Sequence, residues 1–229
     1  MNKKILDEFK KIQMSGFWGN YFDVRFFIGN YIFKNKSQIL LDIACGTGIL
    51  LSIANSKKKL GVDISLESLL QAKKLNSDLE LINADATMLP FQNDIFDRVL
   101  GVQIFPDLKR LGIDWKKALD ELIRVSNNEI ILSGNNRMSK HHNWRTLEDR
   151  ENYLTYSEQV NLLKKYFKIK GFGYDPHPKW LMYPIKKIIL KIPNSVSEKL
   201  RMDEIIYTFL RSKRYFKNGR SYLILGYKL

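Results

Sequence analysis

A single cysteine, three histidines and six prolines are all that the 229 residues hold of these types. Cys45 has no partner for an internal disulfide, which suits a reducing compartment, and its position beside two glycines makes small-residue packing its expected role. His141 and His142 are adjacent with no third ligand at metal spacing, so no metal site is expected. No apolar run reaches the roughly 18 residues that a membrane-spanning helix needs. Met1-Asn2-Lys3-Lys4 runs into Asp7 and Glu8 rather than into a hydrophobic signal core. The expectation is a cytoplasmic chain, neither secreted nor membrane-spanning. Two phosphate-binding signatures are missing as well. Leu51 stands where G-x-G-x-x-G requires its third glycine, and G-x-x-x-x-G-K-[ST] occurs nowhere, which argues against a ligand held by its pyrophosphate.

Apolar residues make up 45% of the chain and aromatics 12%, enough to exclude a disordered polypeptide and to fill the core of one α/β domain. The most informative segment is Ile39-Leu40-Leu41-Asp42-Ile43-Ala44-Cys45-Gly46-Thr47-Gly48. Its first half has the β-branched content of a buried parallel strand, interrupted by one carboxylate. Gly46 and Gly48 allow positive φ and close approach of a ligand to the backbone, and 49–55 reads as a short helix. Strand, glycine turn and helix together form a nucleotide-type cradle.

Three further segments follow in order. Leu60-Gly61-Val62-Asp63-Ile64 is a short apolar run whose strand-end acid lies where it can hold ribose hydroxyls. Asp63 also suits the N-cap of the helix expected over 65–76, a place Ser65 fills equally well. A third strand, 79–83, leads into Asn83-Ala84-Asp85-Ala86-Thr87-Met88-Leu89-Pro90-Phe91, and Asp94-Ile95-Phe96-Asp97-Arg98-Val99-Leu100 opens a fourth. Gln103 is expected at the end of that strand.

Residues 42–48 resemble the first motif of the class I S-adenosylmethionine-dependent methyltransferases, and the later segments are similar to the next motifs of that family, covering 39 to about 135. The resemblance implies S-adenosylmethionine as cofactor. It also implies contacts from Asp42, Ala44, Gly46 and Gly48 around the methionine end, Asp63 and Ile64 at the ribose, Asp85 and Ala86 at the adenine, and Gln103 near the methyl group. Tyr21 joins this set from Gly16-Phe17-Trp18-Gly19-Asn20-Tyr21-Phe22-Asp23, an aromatic segment expected to cover the site, with Trp18 toward the acceptor. No catalytic residue is carried over.

Strands and helices alternate along the chain, which means a parallel sheet. The expected fold is a Rossmann-like, mostly parallel sheet of seven strands with flanking helices, the last strand antiparallel. One domain spans 1–229: an N-terminal helical lid over 1–35, a cofactor core over 36–174, a basic helical insertion over 175–220 and a last strand over 221–229. After the fifth strand, the polar loop 133–145 leaves the edge where ligands bind in open α/β folds. There His141 or His142 would suit an alcohol acceptor in need of a base, or would simply be exposed. From Val160 onward sixteen Lys and Arg face four Asp and Glu, a balance of +12 out of the total +14. That charge reads either as solvated lysines or as a surface for an acidic partner. Residues 179–193 interleave Trp180, Tyr183 and aliphatic side chains with lysines, as in helices lying on a membrane interface, while 211–217 offer a basic, aromatic cluster to RNA. The functional expectation is methyl transfer to a small or amphiphilic acceptor, lipid-linked ones included. The alternatives are an RNA methyltransferase and a non-catalytic cofactor-binding partner subunit.

Overall fold

The computed structural model describes residues 24–138, 150–174 and 221–229. Tyr21, Trp18, His141, His142 and the insertion 175–220 lie outside the described residues. Along the described chain the strands are β1 (Ser37–Ile43), β2 (Ser56–Asp63), β3 (Glu80–Asn83), β4 (Phe96–Val102), β5 (Ser126–Asn135), β6 (Phe167–Tyr174) and β7 (Ser221–Lys228). The helices are α1 (Val24–Lys34), α2 (Ile49–Ile53), α3 (Leu66–Leu75), α4 (Ile104–Arg110), α5 (Trp115–Val125) and α6 (Tyr156–Leu163). All seven strands join one sheet in the order β3-β2-β1-β4-β5-β7-β6. Pairings from β3 through β5 are parallel, and β7 runs antiparallel between β5 and β6. This is the mostly parallel sheet with a reversed last strand that the sequence leads one to expect.

Alternation along each strand divides the apolar residues between the two faces of the sheet. Leu40, Leu100, Ile131, Leu223 and Leu225 pack with Ile28 and Ile32 of α1, Leu50 and Leu51 of α2 and Ala72 of α3. Leu41, Ile43, Val99, Ile130, Leu132 and Ile224 pack on the other face, against α4, α5 and α6. Each fully buried Leu or Ile contributes on the order of 1.5–3 kcal/mol relative to an exposed one, so the two layers carry the fold. Helix α1 belongs to the segment expected as a lid, yet Ile28 and Ile32 are completely buried and make it a core element. Among the described residues no helix is long and apolar enough to cross a membrane.

The amino edge of the sheet is tied by polar groups. Gln38 and Ile39 donate their backbone N–H to Asp97 Oδ2 at 2.6 and 2.8 Å, aligning the starts of β1 and β4. Beside them the buried Arg98 donates from Nε to Glu129 Oε2 at 2.5 Å and from Nη1 to the Asn35 carbonyl at 2.7 Å. Tyr31 donates its hydroxyl to the same Glu129 and lies under the guanidinium, 5.4 Å from ring centroid to Cζ. The carboxyl edge is thereby left for chemistry.

Two local features depart from expectation. Gln103 is not the last residue of β4, which ends at Val102; it caps α4 in the left-handed region at φ 61°. Helix α4 itself, absent from the sequence reading, tolerates Pro106 because its first turn has backbone N–H groups without helical partners.

Candidate functional site

The switch point of the sheet lies between β1 and β4, the neighbours from which the strand order runs both ways. Each strand is followed there by a non-glycine residue with positive φ, Ala44 at 58° and Gln103 at 61°. Such conformations cost about 1–2 kcal/mol each and persist only where tertiary structure imposes them. The tertiary ties are visible: Cys45 donates its N–H to the Val62 carbonyl at 3.0 Å, and Gln103 donates to the Ser133 carbonyl at 3.1 Å. The two turns peel the chain away from the sheet in a crevice at its carboxyl edge.

Gly46 and Gly48 shape the β1 side of this crevice for different reasons. At Gly46, with φ 55°, a Cβ would meet nothing within 4 Å, so the space over it is open. At Gly48, with φ 68°, a Cβ would stand 2.6 Å from Leu79 Cδ1. Gly48 is therefore required by packing, and its N–H closes the loop onto the Cys45 carbonyl at 2.9 Å. Cys45, just before Gly46, is half-buried, and burial, followed by the nearby charges of Asp42 and Asp63, pushes its thiol far above the ordinary range. That environment disfavours the thiolate that a nucleophile requires. Asp42 is buried one turn of the pleat after Leu40, on the α1 to α3 face.

Asp63 ends β2 with its carboxylate spread across two backbone donors. Oδ2 accepts the Gly46 N–H and Oδ1 accepts the Ser65 N–H, each at 2.8 Å. Ser65, not Asp63, is the N-cap of α3, its hydroxyl accepting the Ser68 N–H. Asn83 then ties the tip of β3 to that of β2 by donating from Nδ2 to the carbonyls of Asp63 and Ile64, both at 2.9 Å. Sequence reasoning missed this tether, although a side chain able to donate twice at a strand tip is its signal. Ile64 is 64% exposed beside it.

Beyond β3, Asp85 Oδ1 accepts from the Thr87 N–H and hydroxyl at 2.8 and 2.9 Å, while Oδ2 has no hydrogen-bond partner among the described residues. Ala86 is half-buried next to it. The structure thus brings Asp42, Ala44, Gly46, Asp63, Ile64, Asp85, Ala86 and Gln103 to consecutive strand tips along one edge. At the far end of that edge Ser221 donates to Asn135 Oδ1 at 2.9 Å, and β6 and β7 meet through Tyr174 and Ser221. Loop 139–149 and insertion 175–220 are therefore attached on the same edge as the glycine loop.

Residues 41–131 match a sequence family described as a methyltransferase domain. An uncharacterised protein of Methanocaldococcus jannaschii is 39% identical over 88 residues, which make up 38% of this chain. That match spans about a third of the relative's own length, 32%. Among solved structures, the chain resembles a SAM-dependent methyltransferase of Thermotoga maritima with a TM-score of 0.61 and 18% identity, covering 98% of both chains. The plantazolicin methyltransferase BpumL, solved with a desmethyl analogue and SAH, gives a TM-score of 0.58 at 19% identity, over 97% of this chain and 89% of that one. A methyltransferase solved in complex with the Haloferax volcanii Trm112 activator gives 0.59 at 15% identity, over 99% and 96%. At these identities the structural likenesses establish the fold, and the sequence match covers its cofactor half. Residues 41–131 thus carry a methyltransferase domain, set in a fold shared with S-adenosylmethionine-dependent methyltransferases.

Proposed function

We propose that the protein methylates a small or amphiphilic acceptor, lipid-linked ones included, within one domain spanning 1–229. The observation that carries the cofactor half is the Gly46 cradle: a positive-φ glycine with open space over it, hydrogen-bonded to the strand-end Asp63. The residues present fit S-adenosylmethionine. Its ribose offers hydroxyl donors to the lone pairs Asp63 keeps after accepting two N–H groups. Asp85 Oδ2, without a hydrogen-bond partner among the described residues, suits an exocyclic amine, with Ala86 beside it and the exposed Ile64 supplying apolar surface for a ring. Asp42, Ala44 and Gly48 shape the methionine end, and Gln103 and Tyr21 complete the set. When bound, the sulfonium supplies an electrophilic methyl group.

The chain's own part is alignment and exclusion of water. Holding methyl donor and nucleophile in line makes the displacement effectively unimolecular, and no covalent enzyme intermediate is required. Trp18 and the part of the 1–35 segment that precedes α1 cover the acceptor in this reading, and His141 or His142 takes the proton from an alcohol. An amphiphilic acceptor is supported by the interleaved apolar and basic residues of 179–193, which also suit peripheral membrane contact in the cytoplasm. It is supported too by the likeness to BpumL, a methyltransferase solved with a desmethylplantazolicin analogue.

The +12 balance beyond Val160 favours RNA as the second reading. A partner-activating subunit is the third, with the activator complex of the Haloferax relative as its support. Incubating extracts with labelled cofactor, with and without nuclease, separates them by mass spectrometry. A labelled small molecule or lipid that survives nuclease is the expected product. Label lost on nuclease treatment would mean RNA, and no label at all would mean a subunit without its own activity.

A further inference from the structure

We infer that Glu121 and Arg124, in the C-terminal half of α5, are positioning residues that set cofactor selectivity by holding the Asp85 loop, although neither belongs to the cofactor site. The inference rests on the reading that Asp85 and Ala86 contact adenine. Residues 84–95 cross from β3 to β4 with little regular structure, and their polar backbone groups go to α5. Leu89 donates its N–H to Glu121 Oε2 at 2.6 Å. Arg124 donates to the carbonyls of Phe91 and Leu89 at 2.7 and 3.2 Å and to Asn93 Oδ1 at 2.9 Å. Its backbone carbonyl accepts the Asp94 N–H at 2.9 Å, and Val125 accepts from Ile95 at 3.1 Å.

The two side chains are themselves locked by a two-pronged bond, Nε to Oε1 at 2.6 Å and Nη2 to Oε2 at 2.7 Å. An exposed pair spaced three apart on a helix is worth little. This one is partly buried, with side-chain exposures of 29% for Arg124 and 18% for Glu121, and the other three Arg124 donors all go to the loop. Leu89 continues directly into the Asp85 turn through Met88, whose N–H donates to the Asp85 carbonyl at 3.1 Å. A shift of Leu89 is thus passed along one hydrogen-bonded turn to the Asp85 carboxylate.

The test uses two ligands that differ only at the purine: S-adenosylhomocysteine, and S-inosylhomocysteine, which lacks the exocyclic amine. Calorimetry on the wild type is expected to favour the adenosyl compound by roughly tenfold or more, one hydrogen bond to a charged group. Arg124→Met is expected to reduce that preference to near unity, and Arg124→Lys to retain part of it, since a lysine keeps the charge but loses the fork. Glu121→Gln, nearly isosteric, gives a second route should Arg124→Met fail to fold. In an Asp85→Ala background either substitution should leave the residual preference unchanged. Equal weakening of both ligands would reduce the pair to general support of the fold and overturn the inference. If the wild type itself shows no preference, the adenine reading fails first and the inference with it.

Discussion

The Gly46 amide donates to the Asp63 carboxylate at 2.8 Å, so one side chain at the tip of β2 holds the loop at the tip of β1. Its other oxygen holds Ser65 at the same distance. Removing the carboxylate strands two backbone donors as well as any ribose hydroxyl, and each stranded group is worth about 1–3 kcal/mol. Asp63→Ala is therefore expected to weaken S-adenosylhomocysteine at least tenfold, with the near-UV dichroism retained. Unchanged affinity in calorimetry would move the cofactor away from β2.

The two loop glycines should separate binding from folding. Gly46→Ala adds a methyl group with no atom of the described residues within 4 Å, so its cost is the left-handed backbone, about 1–2 kcal/mol, together with lost cofactor affinity. Gly48→Ala adds one that meets Leu79 at 2.6 Å in the core. We expect Gly48→Ala to give the larger drop in melting temperature, and Gly46→Ala the larger loss of affinity per degree lost. The reverse ranking in thermal melts and titrations would contradict this division.

Much of the carboxyl edge was legible in the sequence because its determinants are local. The apolar run of β1, the two glycines and the strand-end Asp63 are read from neighbours in the chain, and Ser65 as N-cap follows from its place before Leu66. Gln103 was misplaced because its left-handed turn is imposed by β5 through the Ser133 carbonyl, thirty residues away. Helix α4 was missed because its seven residues are too few for a period and Pro106 reads as a breaker. On α3, helical spacing groups Leu66, Leu69 and Leu70, yet only Leu69 is buried, along with Ala72. Hydrophobicity alone does not say which of two adjacent stripes meets the sheet. The pairing of Arg98 with Glu129 was invisible for the same reason as Gln103, since it depends on which strands become neighbours.

That pair gives a third expectation. Arg98 and Glu129 are 5% and 3% exposed, and removing one leaves the other charged and buried. Arg98→Met should destabilise by about 3–5 kcal/mol, whereas Arg98→Met with Glu129→Leu should recover much of the loss. Recovery will be incomplete, because Tyr31 also donates to Glu129 and would lose its acceptor. Denaturant melts of the single and double variants measure the coupling directly, and additive losses would show that the two charges are not interdependent.

The last expectation concerns pH. Hydrogen bonds from Arg124, opposed by desolvation and assisted by the Leu89 N–H, hold the Glu121 carboxyl below its ordinary value. A carboxyl depressed in the folded state contributes stability that is fully present above its unfolded pKa, about 4.3, and is lost as pH falls through the folded value. The gap in melting temperature between wild type and Glu121→Gln should therefore be constant from about pH 8 to 6 and narrow as the pH falls below about 4.3. Glu158 is also depressed: desolvation raises its pKa, but the contacts with Thr155 and Arg137 together outweigh it. It titrates in both proteins, so the difference between them isolates Glu121. Thermal melts across that series check the sign. A gap that stays constant in acid would mean that the Glu121 charge contributes nothing to folding and that only its shape holds the Asp85 loop.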